Sequence, residues 1–130
     1  VDMIAAVMEG VAFSARLALE ALERAGGRRA NTVRGGGGGT SSDAWCQIRA
    51  DVLGRPFERM QARDAGAVGA MVIAGVGVGL MADLANATAD LVLSDRSFLS
   101  DPAGAALADQ RFVVWQELYQ QLGPINAALA

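Results

Sequence analysis

The order of elements in the chain predicts an α/β fold: helix, strand, helix, strand, helix, helix, with the strands parallel and the crossovers right-handed. Three observations carry this. An amphipathic period runs from Asp2 to Ala25. Two short extended stretches alternate with helical ones. A run of five glycines ends in helix-capping residues, as at a strand-to-helix turn. Parallel sheets need helices on both faces and more than two strands. Strands outside this chain are therefore expected to complete the sheet.

Each element has its own signal. In Asp2–Ala25, residues Ile4, Val7, Val11, Ala15, Ala18 and Leu22 share one face, and Phe13 and Leu17 lie opposite. Glu20 and Arg24 form an i,i+4 pair, and Gly26-Gly27 ends the helix. A helix apolar on two sides packs on two sides. Within Arg28–Arg34, Thr32 and Val33 are the best strand formers, interrupted by Asn31 and Arg34. After Gly35–Gly39, the string Thr40-Ser41-Ser42-Asp43 supplies capping chemistry for a helix Ala44–Leu53. Its apolar side is Trp45, Ile48, Val52 and Leu53, and Gly54 and Pro56 end it. Phe57–Gln61 reads as the second strand.

Ala65–Ala82 runs 18 residues without a charge. That is the low end of a membrane span, and Gly75 and Gly79 have the spacing of a membrane-helix contact. The stretch is mostly Ala, Gly and Val, without flanking Arg clusters or interfacial Trp or Tyr, so a helix buried between a sheet and another layer is expected instead. Asp83–Leu91 continues as a second helical piece. Ser94–Gly104 reads as loop. Leu107–Leu122 is the last helix, stopped by Gly123-Pro124, with Trp115 and Tyr119 as core or domain-contact residues.

Composition narrows the chemistry. The chain has 130 residues, 52% of them hydrophobic, so it can bury one small core. Its 26 alanines and 16 glycines predict close backbone packing. There is no histidine, and all eleven basic residues are arginine. Histidine bases, histidine metal sites, Schiff-base lysines and the P-loop lysine are thereby excluded from these residues. The single Cys46 excludes an internal disulfide and is expected to be an inert packed thiol in a reducing, cytoplasmic setting. The net charge of −3 gives no bulk attraction to nucleic acid or anionic lipid. The chain opens at Val1 in a helical pattern with no basic region and cleavage site, so no secretory signal is expected, and it reads as part of a longer protein.

The glycine run is where the chemistry concentrates. Glycines let a ligand approach the backbone, and a helix start offers unpaired N–H groups. A dinucleotide fingerprint would need a last glycine where Thr40 stands and an acid further on than Asp43. A bare glycine run also suits a surface loop. The string that follows decides between them. Gly37-Gly38-Gly39-Thr40-Ser41-Ser42-Asp43-Ala44-Trp45-Cys46-Gln47, continuing to Ala50-Asp51, Gly54 and Pro56, resembles the C-terminal domain of FGGY-family carbohydrate kinases, xylulokinase-like members most closely. Met8–Ser14, Ala65–Ala74 and Leu118-Tyr119 resemble flanking helices of that family. Thr40 and Asp43 depart from its usual alanine and proline, and Arg34-Gly35-Gly36 from its apolar strand residues.

The resemblance implies a partial ribonuclease-H-like (actin-like ATPase) domain. By it, Gly37, Gly38 and Gly39 line ATP, Ser42 bonds the adenosine end while also capping the helix, and Ala67, Gly69 and Ala70 form the far wall. It also implies that the catalytic aspartate lies in an absent N-terminal sugar-binding domain and that the Mg ligands precede these residues, so the fragment is expected to be silent alone, with no catalytic or metal residue of its own. Xylulose or a related pentulose or polyol is the expected substrate. An actin-like ATP-binding module without sugar chemistry is the alternative, and a generic dinucleotide-binding fragment a further one. Nucleic-acid and membrane partners are not expected; a homodimer is compatible with the sequence. A carboxylate at Asp43, in the first helical turn, is expected to repel phosphate and to tolerate adenosine. Trp45 and Gln47 are expected to be structural, and Asp51 to bond nearby backbone or Arg55.

Overall fold

The computed structural model describes residues 2–62 and 64–129, with the side chains of residues 2, 119, 126 and 129 left aside. Its sheet has three strands, β1 (Val33–Gly35), β2 (Phe57–Met60) and β3 (Ser94–Phe98), in the order β1-β2-β3. β1 and β2 are parallel, as expected; β3 pairs antiparallel with β2, so the sheet is mixed. The expected loop at Ser94–Gly104 is therefore corrected to a strand and the start of a helix. Its strand is legible only through Phe98, because Ser94 to Ser97 are all exposed and carry no apolar alternation.

The helices are α1 (Asp2–Gly26), α2 (Asp43–Leu53), α3 (Ala65–Gly77), α4 (Leu84–Leu91) and α5 (Pro102–Leu129), with a short 3-10 turn at Gly38–Ser41. α1 stops where Gly27 turns left-handed at φ 62, and α2 where Gly54 does at φ 61. Three boundaries differ from expectation. α3 stops at Gly77 rather than Ala82, because Gly79 adopts φ 75 and cannot continue the helix. α5 starts at Pro102, where Asp101 accepts a hydrogen bond from Gly104 N–H at 2.8 Å; Asp-Pro is a cap followed by a helix-ready first residue. It also runs through Pro124 to Leu129. Proline's φ is helical, and its cost falls on the preceding turn, where the Gln120 carbonyl loses the bond a residue 124 N–H would donate.

α2 is the centre of the molecule, buried on two sides. Cys46, Ala50 and Leu53 pack on the sheet against Phe57 and Phe98. Val52 joins Ala12 and Phe13 of α1 and Ala108 and Phe112 of α5, with Trp45, Ile48 and Trp115 against them. Small residues at Cys46 and Ala50, both without exposed surface, let the helix lie close on the strands. Arg16 stitches the three helices: it bonds Glu20 at 2.9 Å, the Val52 carbonyl at 3.1 Å and Asp109 at 2.6 Å.

The buried face of α1 is the Phe13 side. The longer stripe is open, with Ile4 75% and Leu22 70% exposed. The helix is thus apolar on two sides, and among the described residues its buried contacts are made by the aromatic side. α3 corrects the expectation of a buried helix: only Val72 and Gly75 of it are buried. No helix of the described residues is long and apolar enough to cross a membrane. The Tyr119 side chain lies outside the described residues.

Candidate functional site at the glycine turn

β1 leads directly into the glycine turn, and Gly35 is where the chain's departure from an apolar strand finds its reason. A Cβ there would lie 2.2 Å from the Phe57 ring. Phe57 is almost wholly buried, so the ring occupies the space a side chain would take. Gly36 then passes beside the start of α3: its Cβ position is 3.6 Å from both the Ala62 carbonyl oxygen and the Ala65 Cβ. Gly37 takes φ 96, a left-handed value that favours glycine. Nothing lies within 4 Å of the Cβ positions of Gly37, Gly38 or Gly69, so the outer surface of the turn is open.

The turn is held from below. Thr40, buried at 4% exposure, donates both N–H (3.1 Å) and Oγ1 (2.7 Å) to the Gly37 carbonyl. Its own carbonyl accepts from Cys46 Sγ at 3.3 Å and from Arg59 Nη1 at 3.4 Å. Ser42 caps α2, its Oγ accepting from Trp45 N–H at 3.3 Å. Trp45 Nε1 sits 3.5 Å from the Gly39 Cβ position, which places the indole beneath the turn. Gln47 bonds Asp51 and the Leu99 carbonyl, so it is structural.

Of the remaining site residues read from sequence, Ala67 is in the first turn of α3, donating its N–H to the capping Asp64 carboxylate at 2.9 Å. Gly69 and Ala70 follow in the next turn, all three exposed. The glycine turn meets α3 at Ala65, about one helical turn before Gly69. Gly69 also borders a 290 Å³ apolar cavity with Met60, Val68, Val72, Leu84 and Leu93. A second cavity of 370 Å³, polar, lies on the other side of Met60, bordered by Thr40, Ser41, Asp43, Arg59, Gln61 and Asp95.

Sequence reasoning missed the charges of that second cavity. Asp43 accepts from Arg59 at 2.7 Å on one oxygen and from Arg96 on the other. Arg59 also bonds Asp95 at 2.7 Å, and its bonds to these two carboxylates hold its pKa above the usual arginine value. Asp43 is therefore a paired carboxylate. Strand period two could have placed Arg59 beside Phe57 on the α2 side; Arg96 was hidden in the unrecognised strand. Burial pushes the Cys46 thiol pKa up, as expected for an inert thiol. Burial also lowers the pKa of Arg49, whose guanidinium stacks 4.6 Å over Trp45 and whose Nε is buried without a hydrogen-bond partner. Asp51 accepts from the Asp101 N–H at 2.8 Å, tying α5 to α2; Arg55 pairs with Glu23 instead. Among the described residues no group of three or more acidic or cysteine side chains could hold a metal ion.

Comparison with known proteins follows this geometry. The chain is 36% identical over 94 residues to the autoinducer-2 kinase of Enterobacter sp. (strain 638), covering 72% of this chain and 18% of that protein. It is 26% identical over 128 residues to the xylulose kinase of Staphylococcus epidermidis, covering 98% of this chain and 26% of that protein. The crystal structure of xylulose kinase from Rhodospirillum rubrum superposes with a TM-score of 0.73 at 32% identity, over 92% of this chain and 24% of that one. The chain thus spans about a quarter or less of the relatives it matches. The family model for the C-terminal domain of FGGY carbohydrate kinases matches residues 1–78. A strand, glycine turn and capped helix in the ribonuclease-H-like arrangement, together with that match over more than half its length, place the chain in the FGGY family of carbohydrate kinases.

Proposed function

We propose that this chain is the nucleotide-binding C-terminal part of an ATP-dependent carbohydrate kinase whose sugar-binding N-terminal domain lies outside it. The supporting observation is the glycine turn. It is held below by the two hydrogen bonds of Thr40 to the Gly37 carbonyl, open above at Gly37 and Gly38, and flanked by the start of α3. A purine nucleoside needs a flat backbone surface without side chains, and this turn offers one. Gly37, Gly38 and Gly39 would carry the nucleoside, Ser42 would bond its adenosine end, and Ala67, Gly69 and Ala70 would face it from α3. ATP supplies the transferable phosphoryl group.

Phosphoryl transfer depends on positioning and charge stabilisation. With Asp43 paired to two arginines, the phosphate repulsion expected of its carboxylate is offset, so the preference for a nucleoside here rests on the glycine backbone and not on charge. The catalytic aspartate belongs, on this reading, to the N-terminal domain and the Mg ligands to segments that precede this chain, so this polypeptide alone is expected to turn over no ATP in a sugar-dependent way. Xylulose or a related pentulose or polyol is the proposed acceptor, and the cytoplasm the proposed compartment.

Titration of tryptophan fluorescence with MgATP and with NAD, in a Trp115→Phe variant that leaves Trp45 as reporter, tests the nucleotide reading: saturable quenching by MgATP and none by NAD supports it, and the reverse refutes it. A phosphorylation panel on the longer protein, with xylulose, gluconate, glycerol and autoinducer-2 as acceptors, tests the sugar. Turnover with none of them, alongside tight ATP binding, would favour a nucleotide-binding module without sugar chemistry.

A further inference from the structure

We propose that Arg59 is a positioning residue for the nucleotide turn, setting the height of the glycine backbone above the sheet through Thr40 and Asp43. The proposal rests on the nucleotide reading above, and it concerns a residue outside the motif that carries the family resemblance.

The geometry is specific. β2 and β3 pair so that Arg59 lies directly opposite Arg96. Like charges facing one another across an antiparallel pair repel. They stand here because Asp43 accepts from both and Asp95 accepts from Arg59. The result is an open chain of alternating charge, Asp95–Arg59–Asp43–Arg96. Asp43 is the first residue of α2 and follows its cap, Ser42. The fixed fork of a guanidinium can bridge several acceptors at once, and Arg59 does so: Asp43, Asp95 and the Thr40 carbonyl. Thr40 in turn holds Gly37, the left-handed residue on which the shelf pivots. The chain of contact therefore runs from the sheet through Arg59 and Thr40 to Gly37. With its side chain 19% exposed, Arg59 is more shielded from water than Arg96 at 56%, and it is the one that touches the turn.

Amide hydrogen exchange and MgADP affinity, measured on the full chain, test this. Arg59→Met is expected to speed exchange of the 37–42 amides by roughly tenfold while α1 and α5 keep their protection, and to weaken MgADP binding by about the same factor. Arg59→Lys is expected to restore part of both, since an ammonium keeps the charge without the fork. Asp43→Asn added to Arg59→Met restores charge balance but no bridge, so exchange is expected to stay fast. The proposal is overturned if Arg59→Met leaves the 37–42 amides unchanged, if the double variant recovers protection, or if protection is lost uniformly, which would make Arg59 a support of the whole sheet. Should the unaltered chain not bind MgADP, the nucleotide reading fails, and exchange still decides whether Arg59 holds the turn.

Discussion

α2 and α3 show how little apolar composition alone determines burial. α2 carries Asp43, Gln47, Arg49 and Asp51, yet four of its eleven residues are buried. α3 has no charged residue at all, and two of its thirteen are buried. The difference is one of neighbours. α2 lies between the sheet on one side and α1 and α5 on the other, so both its faces lose contact with water. α3 packs mainly on α4 and leaves Ile73 67% exposed. A hydrophobic side chain contributes stability only through area removed from water, and α3 has too few partners in this chain to remove much.

Substitutions at both helices sharpen that contrast. The largest effect is expected at Phe57, the ring beneath α2 and Gly35. Phe57→Ala should cost about 3–5 kcal/mol by urea denaturation, and a cost near zero would mean the α2–sheet interface is not the main core. Next comes Gly35→Ala, which drives a Cβ into that ring and should cost about 1–3 kcal/mol; combined with Phe57→Ala, its own penalty should largely disappear. Ser42→Ala removes the α2 cap and should lower stability by about 1 kcal/mol.

A fourth test uses pH at the far end of α2. Glu23 is held below the usual carboxylate range by its hydrogen bond from Arg55, with the Ala30 N–H adding to it. Its contribution is thus present above the unfolded-state value of roughly 4.3 and lost as pH falls through the lower folded value. The stability gap between the unaltered chain and Glu23→Gln should be flat near neutrality and close in acid; a gap that persists in acid would assign it to packing. The smallest effect is expected on α3. Ile73→Ser should stay within about 0.5 kcal/mol, and a larger loss would show that α3 is better packed than its exposure indicates.

Local elements were readable because their signals are local. The Ser42 cap, the Gly27 and Gly54 stops and the Gly37 turn each depend on a few adjacent residues. The parallel pairing of β1 and β2 followed from the crossover rule. β3 was missed because a polar strand at a sheet edge has no alternation to detect, and with it went Arg96, one of the two arginines on Asp43. Proximity in sequence suggests nearby backbone or Arg55 as the partner of Asp51; its partners are the Gln47 side chain, four residues before it, and the Asp101 N–H, fifty after it.

From the residues alone came the α/β class, the absence of lysine and histidine chemistry, and a glycine turn leading into a capped helix, because each follows from residue type and short spacing. Tertiary structure alone decided which stripe of α1 is buried, why Gly35 must be glycine, and that Asp43 is neutralised by two arginines from different strands. Those outcomes depend on contacts between residues 16 to 102 positions apart, and such pairings are set by packing, which no local pattern encodes.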